Sequence, residues 1–168
     1  MTTRGDGGQI PRSLAGSSRR GGVQVQNDSR EATGAKILVV DDEPLVVDVL
    51  CQVLTNAGHT VVAAASGKEA LEKALETRPD LIIMDIVMPE GDGYQATVHI
   101  KRHPLLQDIP VIFLTGKASE EDGGRSFATG GALCLRKPFT DSQIRDVVSL
   151  VLRSTARTTT GPGPIGRK

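Results

Sequence analysis

Apolar residues along this chain follow two rhythms in alternation. Unbroken runs at residues 36–40, 81–84 and 111–114 (KILVV, LIIM and VIFL) suit short strands buried on both faces of a sheet, and residues 59–63 and 132–136 read as two more strands. Between them the apolar positions recur every three or four residues. Pro44 suits the first position of a helix that carries Val46, Val49, Leu50, Val53, Leu54 and Ala57 until Gly58 closes it. Ser66-Gly67-Lys68-Glu69 has the form of a capping box before Ala70, Leu71, Ala74 and Leu75, and Pro79 stops that helix. The dense turn signal from Pro89 to Gly93 precedes a helix over about residues 94–103, which ends before Pro104. Thr140-Asp141-Ser142-Gln143 caps a last helix with Ile144, Val147, Val148, Val151 and Leu152 on one stripe. The helix after the fourth strand is weakly specified. Gly123 and Gly124 lie in its middle, at roughly 1 kcal/mol each relative to alanine, and the segment is expected to be mobile. Five strands each followed by a helix imply a parallel sheet covered on both faces, joined by right-handed crossovers.

Composition sets the limits of this domain. Residues 1–35 and 154–168 are rich in Gly, Ser, Thr and Arg and offer no core, so both are expected to be disordered tails flanking one domain at 36–153. The formal net charge of zero conceals an asymmetry: the tails are basic, and residues 36–152 hold eleven basic against seventeen acidic residues, near −6. An acidic core argues against direct DNA binding, since phosphate contacts supply most non-specific affinity. The Arg19-Arg20 pair reads as solvated linker charge, with contact to an acidic partner as the alternative. Cys51 and Cys134 lack metal-ligand spacing and suggest buried thiols in a reducing compartment. Without a long apolar run or an apolar leader, a cytoplasmic protein with no membrane contact is expected. His99 and His103 share a helix face, but no third ligand is evident and Lys101 and Arg102 surround the pair, so a solvated face is the simpler reading.

The polar residues that end the strands carry the candidate chemistry. Asp41 and Asp42 follow the first, Asp85 the third, Thr115 the fourth and Lys137 the fifth, and a parallel sheet brings those ends to one rim, where ligands bind in open α/β sheets. A lone strand-terminal Asp is often just a solvated turn residue. Three carboxylates together favour a hard divalent cation, and Mg²⁺ takes one or two carboxylates while keeping waters. Three Asp, one Lys and one Mg²⁺ sum formally to about zero, which leaves the rim ready for an anion.

The motifs VVDDEP, IIMDIVMPEGDGY, VIFLTGKA and LRKPF, in this order, resemble those of bacterial two-component response-regulator receiver domains of the stand-alone, CheY-like type. The resemblance covers the whole of 36–153 and implies a flavodoxin-like (βα)5 doubly wound sheet of strand order 2-1-3-4-5. It implies that Asp85 is the phosphoacceptor, that Asp42 binds Mg²⁺ directly and Asp41 through water, and that the backbone carbonyl of Val87 adds a ligand. Thr115 and Lys137 would contact the phosphoryl group. The implied partners are a sensor histidine kinase or phosphotransfer protein and a downstream protein target; no output domain is read after Arg153. Two residues depart from the pattern: Cys134 stands where the family usually has Tyr or Phe, which puts the common aromatic switch in doubt, and Gly91 replaces a larger apolar residue. Two rivals remain. One is a receiver-shaped scaffold that works without phosphorylation, and the other is a phosphatase with an aspartyl-phosphate intermediate, which lacks support because Ile86 and Val87 follow Asp85 where such enzymes resembling the haloacid dehalogenase group carry Asp-x-Asp.

Overall fold

Parallel pairing of five strands organises the chain, whose computed structural model describes residues 34–89, 91–116, 124 and 127–158. In chain order the elements are β1 (Lys36–Val40), α1 (Pro44–Asn56), β2 (Thr60–Ala64), α2 (Gly67–Thr77), β3 (Leu81–Asp85), β4 (Val87–Met88), β5 (Gly91–Asp92), α3 (Gly93–Arg102), β6 (Val111–Thr115), β7 (Leu133–Arg136) and α4 (Asp141–Thr158). The large sheet runs β2-β1-β3-β6-β7, every pairing parallel. With the small β4–β5 hairpin set aside, this is the expected order 2-1-3-4-5 of a flavodoxin-like fold.

Alternation along the strands builds two cores. Leu38, Val40, Ile82, Met84 and Phe113 face one way, against Ala70 and Ala74 of α2 and Ala96 and Ile100 of α3. Ile37, Val39, Ile83, Ile112 and Leu114 face the other, against Leu50, Val53 and Leu54 of α1 and Ile144, Val148 and Val151 of α4. Because β3 and β6 lie inside the sheet, every one of their residues is buried, which is why those runs are continuous rather than alternating. Each such Val, Leu, Ile or Phe contributes about 1.5–3 kcal/mol of burial.

The caps form largely as their sequences demand. Ser66 accepts from the Glu69 N–H at 3.2 Å, but the Glu69 carboxylate reaches past Ser66 to the Ala65 N–H at 2.7 Å. At α4 the box is reciprocal: Gln143 N–H donates to the Thr140 hydroxyl at 3.3 Å, and Thr140 N–H to Gln143 Oε1 at 2.8 Å.

Four features differ from expectation. The Pro89–Gly93 turn is flanked by a two-stranded antiparallel hairpin, with Val87 paired to Asp92 and Met88 to Gly91. β2 begins at Thr60; His59 precedes it, buried, with its Nδ1 unpartnered, and burial lowers its pKa. Lys101, expected on a solvated face, folds inward to donate to the carbonyls of Gln107 (2.9 Å) and Ile109. Finally α4 continues to Thr158, past the boundary drawn at Arg153: no Gly or Pro intervenes before Gly161, and the hydroxyls of Ser154 and Thr155 bond back to the carbonyls of Leu150 and Val151 at 2.9 and 3.3 Å. The tails at 1–33 and 159–168, and nearly all of the weak glycine-containing segment (117–123 and 125–126), lie outside the described residues.

Candidate functional site

Register alone gathers the polar strand ends. Val40 pairs with Met84, Asp85 with Leu114 and Thr115 with Arg136, so Asp41, Asp42, Asp85, Thr115 and Lys137 all fall on the carboxyl rim. Asp41, Asp42 and Asp85 each offer an oxygen within 4.8 Å of the others.

Lys137 is the cation among them. Its Nζ lies 2.7 Å from Asp41 Oδ2, 3.3 Å from Asp85 Oδ1 and 3.6 Å from Glu43 Oε1. The Lys137–Pro138 peptide is cis, and the Lys137 N–H donates to the Thr115 carbonyl at 2.7 Å, which fixes the end of β7 to the end of β6. Asp41 is fully engaged by protein: Oδ2 by Lys137 and Oδ1 by the Glu43 N–H at 2.9 Å. Asp42, half-buried, stands more open.

The charges of the group are set by burial and by one another. Asp85 is 4% exposed; desolvation raises its pKa from 3.8 to about 6, the Asp41 charge adds to the rise, and Lys137 only partly opposes it. For Lys137, burial works against the ammonium, but the bond to Asp41 and the charges of Asp85 and Asp41 outweigh it and hold the pKa above its ordinary value. Four groups, three acids and one base, therefore carry a formal −2 in a half-closed site. A donor set of carboxylate oxygens at this spacing, with excess negative charge, fits a hard divalent cation and not a soft one.

The loop beyond Asp85 is held by backbone. Ile86 N–H donates to Leu114 C=O at 3.0 Å, and Gly93 N–H to Ile86 C=O at 2.8 Å. Gly93 lies so close that a Cβ there would fall 2.0 Å from the Asp85 carbonyl oxygen, a clash with backbone that cannot be relieved by a rotamer. Asp92 caps α3 beside it by accepting from Tyr94 N–H at 2.8 Å. Val87 opens the hairpin two residues past Asp85, with its side chain exposed. An open groove of about 250 Å³ leads away from Asp41 and Asp42, between Pro44, Val47 and Asp48 of α1 and the end of β2.

Asp41, Asp42, Asp85, Thr115 and Lys137 thus lie on one rim, and Val87 stands in the hairpin two residues beyond Asp85. Gly93 and Glu43 were missed in their roles. The run Asp41-Asp42-Glu43 was the available signal for the latter, and the Gly-Asp-Gly of the turn for the former, although its glycines read simply as turn formers. Cys134 is half-buried against the α2–α3 side of the sheet, opposite Phe113 in the register, and free of disulfide, as is Cys51, whose thiol burial raises in pKa. His99 and His103 join no candidate metal group among the described residues. Lys117 lies outside them.

A doubly wound parallel sheet with an acidic cluster and Lys137 at its carboxyl rim is the class of domain this structure defines. The family model "Response regulator receiver domain" matches residues 37–149, and the chain belongs to that family. It is 36% identical over 118 residues to the phosphate regulon transcriptional regulatory protein PhoB of Escherichia coli, an alignment that covers 70% of this chain and 52% of PhoB; the chain thus spans about half the length of that relative. It is 35% identical over 118 residues to protein PilH of Pseudomonas aeruginosa, covering 70% of this chain and 98% of PilH. Among solved structures, the receiver domain of the sensor histidine kinase PA1611 of Pseudomonas aeruginosa superposes with a TM-score of 0.67 at 30% identity, over 72% of this chain and 99% of that one, and it holds a magnesium ion in its active-site cleft. No helix among the described residues is long and apolar enough to cross a membrane.

Proposed function

We propose that this chain is a response regulator that accepts a phosphoryl group on Asp85, with Mg²⁺, from a histidine kinase or phosphotransfer protein, and signals through phosphorylation-dependent protein contacts. The observation that carries this reading is the placement of a buried, electrostatically stressed carboxylate, Asp85, beside Lys137 and two further carboxylates at an open rim. With a pKa of about 6, Asp85 is ionised at neutral pH yet more basic than a solvent-exposed Asp, which favours it as a nucleophile. Its oxygen forms a bond to phosphorus as the bond from phosphorus to the donor nitrogen breaks, and the electron pair leaves with the donor imidazole. Lys137, already within 3.3 Å of Asp85, is positioned to meet the phosphoryl oxygens, and Thr115 supplies a hydroxyl on the adjoining strand end.

The metal would be held by Asp42 and Asp85, with the Val87 carbonyl, and by Asp41 through water. Asp41 has both oxygens bonded within the protein, which supports its indirect part. When bound, Mg²⁺ supplies charge neutralisation for the phosphoryl oxygens. Output by protein contact is favoured by the acidic charge of the domain, which argues against a DNA-binding face.

Intact-mass measurement after incubation with acetyl phosphate and Mg²⁺ tests the proposal. Wild type should gain one phosphoryl group and Asp85→Asn none; equal uptake by both would refute it.

A further inference from the structure

Among the described residues, β2 is the outermost strand of the sheet and pairs only with β1. In a parallel ladder alternate residues turn both backbone groups toward the neighbour. Thr60 N–H donates to Ala35 C=O at 2.9 Å and Ala64 C=O accepts from Asp41 N–H at 3.2 Å, so Thr60, Val62 and Ala64 face β1. Val61, Ala63 and Ala65 therefore turn their N–H and C=O groups outward, along a row that can template another strand. The strand is TVVAA, β-branched and uncharged, and only partly covered.

Helix α2 reaches over this edge with two side chains. Lys73 Nζ donates to the outward carbonyl of Ala63, and Glu69 Oε2 accepts from the outward N–H of Ala65 at 2.7 Å. The two side chains, one turn apart, pair with each other at 2.7 Å. Neither bond serves the helix itself. The Glu69 carboxylate bypasses the Ser66 N–H that a capping box would use, and Lys73 engages a strand carbonyl rather than a helical one. Consistent with the first contact, the Ala65 N–H is the main influence holding the Glu69 carboxyl below its usual range, with Lys73 next.

We propose that Glu69 and Lys73 form an edge guard that keeps β2 from pairing with the β2 strand of a second copy of this chain. A second copy is the fitting occupant, because two identical strands related by a two-fold axis present the same outward row to each other and satisfy both. The guard occupies the carboxyl half of that row and leaves an approaching strand too few consecutive groups to form a ladder.

The test compares wild type, Glu69→Ala/Lys73→Ala and the same double variant with Val61→Pro, by light scattering coupled to size exclusion over a wide concentration range, with far-UV circular dichroism as the check on folding. Val61 turns its N–H outward, so proline there blocks the edge without removing a bond to β1. The unguarded variant should about double its mass with rising concentration relative to wild type, and Val61→Pro should return it to the wild-type value. A mass unchanged from wild type at every concentration overturns the proposal, as does association that Val61→Pro leaves intact. Lys73→Ala alone keeps the Ser66 cap and Glu69, and carries the same comparison should the double variant fail to fold.

Discussion

Removing the charge of Asp85 should stabilise the metal-free protein, and the size of the gain follows from the site. The side chain is 6% exposed, and burial with the Asp41 charge raises its pKa from 3.8 to about 6. A rise of roughly 2 units at 1.36 kcal/mol per unit corresponds to about 3 kcal/mol. The sign is destabilising at neutral pH. With its folded pKa raised, Asp85 binds its proton more tightly in the native state, so its contribution is most favourable below pH 3.8 and is lost as pH rises through about 6. Asn has the same shape, no charge, and an oxygen that can still face Lys137. Urea unfolding in the presence of EDTA should therefore show Asp85→Asn equal to wild type near pH 4 and more stable by up to about 3 kcal/mol above pH 7, with the gap opening between these limits. Saturating Mg²⁺ should narrow the gap by stabilising wild type. Equal stability at pH 7.5, or a gap independent of pH, would show that Asp85 is not electrostatically stressed and would remove the physical basis for its heightened reactivity.

Other substitutions probe the frame and the chemistry separately. Gly93→Ala forces a Cβ against the Asp85 carbonyl and should cost more than about 2 kcal/mol by thermal or urea unfolding, well beyond the propensity effect of a helix N-terminal alanine. Asp42→Ala should abolish the rise in melting temperature that Mg²⁺ gives wild type, while leaving the metal-free melting temperature nearly unchanged because Asp42 is only half-buried. Ser66→Ala should lower stability by about 1 kcal/mol through loss of the Glu69 N–H acceptor, measured in the same unfolding assay. Val87, exposed beside the site, offers no group to hold an attacking water, so phosphorylated Val87→Asn should lose its phosphoryl group faster than wild type when intact mass is followed over time.

The sheet was legible because its signals are redundant. Runs such as LIIMD and VIFLT, alternating with helical patterns, point to the centre of a parallel sheet, and the strand ends then place Asp41, Asp85, Thr115 and Lys137 together without any side-chain detail. What sequence could not show was contact at the scale of single atoms. That Gly93 touches the Asp85 carbonyl depends on the hairpin returning the chain over the strand end, and the turn signal in Pro89–Gly93 is satisfied by many geometries. The inward fold of Lys101 escaped notice for a similar reason: a lysine among His99, Arg102 and His103 has the appearance of a solvated face until the carbonyls of Gln107 and Ile109 come within its reach. Glu69 was correctly placed in a capping sequence, yet its partner is one residue away from the expected one, because the Ala65 N–H on the sheet edge is the better exposed donor.

Cys134 bears on how a charge at Asp85 reaches the surface. On the proposed chemistry, phosphorylation exchanges a carboxylate for a dianion and adds one negative charge within reach of Lys137, whose ammonium is now shared between Asp41 and Asp85. A shift of Lys137 toward the phosphoryl oxygens loosens its hold on Asp41, and because its N–H is bonded to the Thr115 carbonyl, the ends of β6 and β7 feel the change together. An aromatic side chain two residues before Arg136 would convert that movement into a large swing at the surface. The Cys134 side chain is small, packs against the α2–α3 core opposite Phe113, and has little to swing. Transmission must then run through the backbone that follows Thr115, and amide exchange with and without beryllofluoride should show the response in residues 117–127 exceeding that in β7. A response confined to β7 would place the lever in the last strand after all.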